Sequence, residues 1–344
     1  MIRVLVADDS ATFRAILRTV LATAPDLQVV GEACDGEEAV ARTLALKPDV
    51  VTMDVRMPRL GGLEAIRRIM DRSPTPVLVV SAEVSADEQR LGFEALRAGA
   101  VDVVPKPLRS GAGSFELQAE AIRTAVRAVA GTDLSAPRRR AGRARESAAR
   151  PGWAKAVGIA ASTGGPAALA RILAALPGEY RLPILVVQHI APGFEEGLVR
   201  WLQGETRLRV ALTEDGAPVE PGAVLVARGG RHLAPAGGRV RLVDGPPVRG
   251  FRPSASVLFR ALAAEHGAGA AGLVLTGMGD DGAAGLLAVR DAGGYTAAQG
   301  PATSVVHGMP GAALASGAAR FSLEVEEVPG VLLALAGSGR ADSC

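Results

Sequence analysis

Three residues that could do chemistry together each close an apolar run. The stretch GIAASTGGP stops being apolar at Ser162 and opens at once into Gly164, Gly165 and Pro166. ILVVQH ends on His189, and GLVLTGMGDDG ends in Asp280 and Asp281. A hydroxyl, an imidazole and a carboxylate are the nucleophile, base and orienting acid of acyl transfer. Taken alone, Ser162 and its glycines fit a phosphate loop or a plain helix cap equally well, because the spacing matches neither GxSxG nor the Walker pattern. Convergence favours catalysis: parallel strands bring their carboxyl ends to one edge, where all three groups can meet. The other histidines suit the base role less well. His232 sits in a GGRHLAP turn, and His266 precedes Gly267 at a helix end, where the dipole favours a cation. His307, in TSVVHGMP, is the runner-up. No histidine is spaced with a cysteine or carboxylate as a Zn²⁺ cage requires.

A second set of groups lies in the first third of the chain. Asp8 and Asp9 follow IRVLVA, Asp54 ends DVVTMD, Ser81 ends PVLVVS and Lys106 follows VDVV. Two or three carboxylates suit Mg²⁺, which prefers oxygen ligands and bridges to phosphate oxygens. An aspartate can accept a phosphoryl group when a metal neutralises the incoming charge and a lysine holds a phosphate oxygen. One strand-end acid could merely cap the next helix, as Asp9 could before Ser10. Acids, a hydroxyl and an ammonium at four separate strand ends go beyond capping.

These residues need elements to position them. The strand-like runs IRVLVA, QVVGEA, DVVTMD, PVLVVS and VDVV alternate with helical stripes, such as Phe13, Ile16, Leu17, Val20 and Leu21, or Ile122, Val126 and Val129. The alternation predicts a doubly wound parallel sheet over residues 1–130, with ligands at the carboxyl ends of its strands. After Trp153, AVGIAA, ILVVQH and GLVLT alternate with segments such as PAALARILAAL, and predict a second α/β parallel-sheet domain over 153–335. Between them, GTDLSAPRRRAGRARESAARPG (131–152) has almost no large apolar residue and reads as a flexible basic linker. Its arginines lack the interleaved aromatics of a nucleic-acid arm. A short flexible tail is expected over 336–344.

The 344-residue chain sets 38 basic against 36 acidic residues, a net charge of +2, so no global field calls for nucleic acid. Two cysteines, Cys34 and Cys344, exclude a disulfide framework and suggest a reducing compartment. MIRVLVADDS is unlike a signal peptide, and no run is apolar enough for a membrane span. A cytoplasmic monomer without membrane insertion is expected.

The motifs VADDS, VTMDVRMP, VVSA and the PKP at 105–107 resemble the receiver domain of two-component response regulators, a flavodoxin-like fold. The resemblance implies Asp54 as phosphoacceptor, Mg²⁺ held by Asp8, Asp9 and Asp54, and Ser81 and Lys106 contacting the phosphoryl group. It also implies a histidine kinase as phosphodonor and a Lys106–Pro107 bond of a kind often cis. Arg56 stands where relatives often carry an acid, and Val103 where an aromatic switch residue is common. The later motifs IAASTGGP, VVQHIAPGFEEGLVRWL, GGRHL, RPSASVLFRALA, LVLTGMGDDGAAGL and ATSVVHGMP resemble the chemotaxis protein-glutamate methylesterases of the CheB family. That resemblance implies Ser162 as nucleophile, His189 as base and Asp281 as orienting acid, with Thr163 and Met278 in support and no cofactor for the esterase. Phe251 departs from it, standing where a histidine often precedes RPS. The implied reaction is hydrolysis of glutamate methyl esters on chemoreceptors, with deamidation of receptor glutamines beside it, switched on by phosphorylation. A phosphorylation-regulated hydrolase of another ester, outside chemotaxis, is the alternative. A DNA-binding regulator would need a helix-turn-helix after the linker, and none is patterned there.

Overall fold

The computed structural model describes residues 1–81, 86–107, 112–132, 134 and 152–337. The chain divides into two compact units, Met1–Ala136 and Pro137–Cys344. Most of the expected linker, and the expected tail beyond Gly337, lie outside the described residues. No helix among the described residues is long and apolar enough to cross a membrane.

In the first unit, strands and helices alternate as β1 (Ile2–Ala7), α1 (Ala11–Ala22), β2 (Leu27–Ala33), α2 (Gly36–Leu46), β3 (Val50–Met53), α3 (Gly62–Arg72), β4 (Val77–Ser81), α4 (Ala86–Ala98), β5 (Asp102–Pro105) and α5 (Ala112–Ala130). The sheet is parallel throughout, in the order β2-β1-β3-β4-β5. Helices cover both faces of such a sheet, so its strands are continuous apolar runs rather than alternating ones. Val4, Leu5, Val6, Val50, Val51, Met53, Val77 and Leu78 are accordingly fully buried. Strand order reverses between β1 and β3, which opens a crevice at their carboxyl ends where Asp8 and Asp54 follow. Ser10, not Asp9, caps α1, its hydroxyl accepting the Phe13 N–H, so the Asp9 carboxylate is not spent on the helix. The Lys106–Pro107 peptide is trans, against the expectation drawn from resemblance; the cis bond among the described residues is Arg252–Pro253.

The second unit runs β6 (Ala156–Ala161), α6 (Gly165–Ala174), β7 (Ile184–Gln188), α7 (Glu195–Glu205), β8 (Arg209–Leu212), β9 (Ala223–Val226), β10 (His232–Leu233), β11 (Leu242–Val243), α8 (Ala255–His266), β12 (Ala270–Val274), α9 (Ala283–Asp291), β13 (Tyr295–Gln299), α10 (Gly308–Ala315), β14 (Phe321–Leu323) and α11 (Val328–Ala336). Seven strands form a parallel sheet in the order β14-β13-β12-β6-β7-β9-β8, and β10 and β11 pair separately as a small antiparallel ribbon. The core joins Ala156, Ala160, Leu185 and Val187 of the central strands to Leu258, Phe259 and Leu262 of α8. The chain winds outward from β6 to β8 and later returns on the other side of β6 as β12. The switch point therefore lies where β12, β6 and β7 end side by side, and ligands of open α/β sheets bind at such a place.

Candidate active site

Register decides which residues meet at that edge. β6 pairs with β7 through Ala161↔Gln188, which sets Ser162 beside His189, one residue past the last pair. β12 pairs with β6 through Val274↔Ala160. Beyond the last paired residues the backbone keeps its bonds: Ser162 N–H donates to Thr276 O at 3.0 Å, and His189 N–H to Ala161 O at 2.8 Å. Gln188 ties nucleophile and base strands together from within. Its Nε2 donates to Ser162 O at 2.8 Å and to His189 O at 3.0 Å.

The glycines after Ser162 answer to packing. A Cβ on Gly165 would sit 2.2 Å from Gln188 Oε1, and one on Gly164, at φ 75°, would sit 2.5 Å from Val305 Cγ2. Close approach of Gln188 is thus what Gly165 permits, where the sequence suggested room for an anion. Gly277 does the same on the β12 side, since a Cβ there would lie 2.6 Å from Ser162 Cβ and 2.5 Å from the buried Met309 Sδ. Gly277→Ala should push the Ser162 segment out of place and lower kcat at least about 100-fold, because displacements of about 1 Å cost that much in oriented catalysis. Kinetics of the ester hydrolysis expected from the sequence, set beside an unchanged circular dichroism spectrum, check this.

His189 and Asp281 form a buried pair. Nε2 of the imidazole lies 3.0 Å from Asp281 Oδ2, with the side chains 5% and 0% exposed. An ionised carboxylate only accepts, so Nε2 carries the proton and Nδ1 is the basic nitrogen. His189 Nδ1 is buried without a hydrogen-bond partner among the described residues. Ser162 Oγ makes no hydrogen bond among the described residues. The two atoms that a proton transfer would link are both unspent. The main-chain N–H groups of Thr163 and Met278 likewise donate to nothing among the described residues, although Thr163 O accepts from Thr276 Oγ1 at 2.9 Å.

Burial alone would raise the pKa of Asp281, but donors surround it. His189 Nε2, Ser254 Oγ at 2.8 Å and Ala255 N–H at 2.7 Å outweigh that penalty and hold the carboxyl far below its ordinary range. Ser256 and Gly282 N–H groups add contacts at 3.2 and 2.9 Å. The carboxylate thus sits at the amino terminus of α8, where the dipole favours an anion. Asp280 turns outward instead and pairs with Arg249 at 3.1 Å, both largely exposed. Sequence reading missed Ser254, Gln188 and Thr276. Ser254 had a visible signal, a serine opening the helical run ASVLFRALA as its cap.

The remaining histidines have other work. His232 is buried, accepts the Ser254 N–H on Nδ1 at 3.2 Å and reaches Pro246 O through Nε2 at 3.0 Å, so it backs the segment that holds Asp281. His307 pairs with Gly277 through its backbone and lies 3.4 Å from Ser304 Oγ. His266 closes α8, and burial lowers its pKa against the pull of Glu265, which disfavours the helix-end cation read from the sequence.

In the first unit, Asp8, Asp9 and Asp54 bring one carboxylate oxygen each within 4.8 Å of one another, Asp8 and Asp54 buried and Asp9 exposed. Lys106 Nζ lies 2.7 Å from both Asp8 Oδ2 and Asp54 Oδ2, and stands over the Phe13 ring at 4.5 Å. Burial lowers the ammonium's pKa, yet the hydrogen bonds and charges of Asp54 and Asp8 outweigh it and the net shift is upward. Asp54 is raised, first by burial and also by Asp8, against the lowering effect of Lys106. One ammonium among three acids leaves negative charge uncompensated, and that donor set fits a hard divalent cation. Ser81 closes β4, buried, its carbonyl accepting the Lys106 N–H at 2.8 Å.

Comparison with known proteins places both units. The family described as CheB methylesterase matches residues 157–332, and the response regulator receiver domain matches residues 4–113. A protein-glutamate methylesterase/protein-glutamine glutaminase of Anaeromyxobacter dehalogenans is 46% identical over 332 residues, 96% of each chain. One from Myxococcus xanthus is 46% identical over 323 residues, 90% of each. The crystal structure of the Thermotoga maritima CheB methylesterase catalytic domain matches with a TM-score of 0.51 at 35% identity, over 52% of this chain and 97% of that one.

Proposed function

The chain belongs to the CheB methylesterase family, and on that premise we propose that Ser162, His189 and Asp281 carry its hydrolysis of protein-glutamate methyl esters. It is a receiver-regulated protein-glutamate methylesterase and protein-glutamine glutaminase of the chemotaxis type. The observation that carries the site assignment is the buried His189–Asp281 pair at the strand edge of Ser162, with Nδ1 and Oγ both unspent.

Ser162 Oγ attacks the ester carbonyl while its proton passes to His189 Nδ1, and Asp281 stabilises the resulting imidazolium through Nε2. The tetrahedral oxyanion forms where the Thr163 and Met278 N–H groups are free to donate, the residue after the nucleophile being a usual oxyanion donor. Collapse breaks the ester bond, and the leaving oxygen takes the imidazolium proton and departs as methanol. Water, deprotonated by His189, then attacks the acyl-enzyme and releases glutamate and free Ser162. On a glutamine the same steps expel ammonia. Methylated chemoreceptors are the substrate, and release of methanol from methyl-labelled receptor membranes is the assay. No release by the wild-type protein, with turnover of another ester, would favour the non-chemotaxis alternative.

Asp54 is the phosphoacceptor, supplied by a chemotaxis histidine kinase. Asp8, Asp9 and Asp54 would hold Mg²⁺, which would supply charge neutralisation for phosphoryl transfer. Lys106, already on Asp54, is placed to take a phosphoryl oxygen, with Ser81 on the neighbouring strand end. Asp54→Asn should take up no label from a phosphodonor and retain only basal esterase activity. Labelling that persists in the variant, or that survives chelation, counts against the assignment. We place the enzyme in the cytoplasm, the reducing compartment that its two cysteines suit.

A further inference from the structure

We propose that Phe251 is a positioning residue for His189, its ring fixing the imidazole plane so that Nδ1 faces the nucleophile. The inference rests on the reading of His189 as the base. The two rings are stacked with centroids 3.8 Å apart and planes 3° from parallel. An imidazole pinned at Cβ and hydrogen-bonded at Nε2 can still roll about the line joining those atoms, and rolling swings Nδ1. A parallel ring in van der Waals contact blocks that roll on one side. It also presents the negative face of its quadrupole to the imidazolium formed in the transition state. Asp281 fixes one edge of the imidazole; Phe251 fixes its plane.

The backbone aims this ring deliberately. Val248 and Phe251 exchange both main-chain hydrogen bonds at 3.0 Å around Arg249 and Gly250. Both central residues have positive φ, 53° and 85°, as a type I′ turn requires. Positive φ is uncommon outside glycine, so Arg249 sits in the left-handed region at some cost. Its guanidinium pairs with Asp280, an exposed contact that adds little to the turn, whose conformation is set by its main-chain bonds. Three residues beyond Phe251, Ser254 caps α8, and Ser254 Oγ with the Ala255 and Ser256 N–H groups grips the Asp281 carboxylate. The segment 248–256 therefore holds the base by its face and the acid by its oxygens. Stacking on His189 gives the turn its role.

The test compares shapes in the full-length protein. Phe251→Leu keeps apolar bulk without a flat surface, whereas Phe251→Tyr and Phe251→His keep the ring. The leucine variant should lose about 10- to 100-fold in kcat with KM within about threefold, the scale of a misoriented catalytic group. At least one flat replacement should come within about threefold of wild type. NMR relaxation of the histidine side chains should show the His189 ring rigid in the wild type and rocking in Phe251→Leu, with Asp281 holding the proton on Nε2 in both. Wild-type kcat in the leucine variant, a loss confined to KM, equal damage from all three substitutions, or a His189 ring as rigid in Phe251→Leu as in the wild type would each overturn the proposal. The NMR arm needs no substrate. A failed triad reading would show as activity retained without Ser162, while ring motion still reports whether Phe251 orders the imidazole.

Discussion

Replacing Ser162 with alanine is expected to abolish methanol release from methyl-labelled receptor membranes while the protein stays folded. The side chain is only half-buried, and its hydroxyl makes no hydrogen bond among the described residues, so little packing and no polar partner are lost. The backbone contacts that fix the position, Ser162 N–H to Thr276 O and Gln188 Nε2 to Ser162 O, do not depend on the side chain. Removing the nucleophile of a triad costs on the order of 10⁶ in kcat in the serine-protease template, leaving the residual catalysis of oriented binding and oxyanion donors. The same variant should form no acyl-enzyme in a rapid-quench experiment, and its thermal midpoint should match wild type. Activity within tenfold of wild type would remove Ser162 from the mechanism. Glutaminase activity should fall in parallel, because both reactions need the same attack.

How much of this site was legible in the sequence depends on which contacts are local. The strands were visible because both faces of each parallel sheet are covered, which makes β6 an unbroken apolar run and β1 one from Val4 onward. The ends of those runs were visible too: a polar residue stops each run where the sheet stops, and Ser162, His189, Asp54 and Lys106 stand there. The choice between Asp280 and Asp281 was not local. It is made by α8, whose amino terminus supplies donors to one carboxylate and none to the other. Gln188 is the polar last residue of β7, and only strand register shows it tying Ser162 to His189. Gly165 suits a phosphate loop or a helix cap in sequence, and its neighbour in space is the Gln188 amide. Phe251 lies 62 positions from His189 in the sequence, on a turn that no hydrophobic period predicts. Periodicity reports which face of an element is buried, whereas the partners that orient a catalytic group come from tertiary neighbours.

Asp281→Asn is the second large effect, and the geometry says why it should cripple the enzyme. Asp281 Oδ2 accepts from His189 Nε2 and from the Ala255 N–H, while Oδ1 accepts from Ser254 Oγ and from the Ser256 and Gly282 N–H groups. An asparagine must set its NH₂ against one of these sides. Turned toward Oδ2, the amide opposes the Ala255 N–H and drives His189 to the tautomer protonated at Nδ1, which has no lone pair left for Ser162. Turned toward Oδ1, it opposes two main-chain donors, and its neutral carbonyl stabilises the imidazolium less than a carboxylate does. Either way kcat should fall by about 10⁴, the size of the equivalent loss in the serine-protease template. Unlike the serine variant, this one should also lose stability, by about 1–3 kcal/mol, because a buried donor is left unpaired. Asp280→Asn is the control. Its partner Arg249 is 66% exposed, and exposed ion pairs contribute about 0–1 kcal/mol, so both thermal midpoint and kcat should stay near wild type. If Asp280→Asn proves the crippling change and Asp281→Asn the mild one, the orienting acid has been assigned to the wrong neighbour, and α8 grips its carboxylate for the sake of the fold alone.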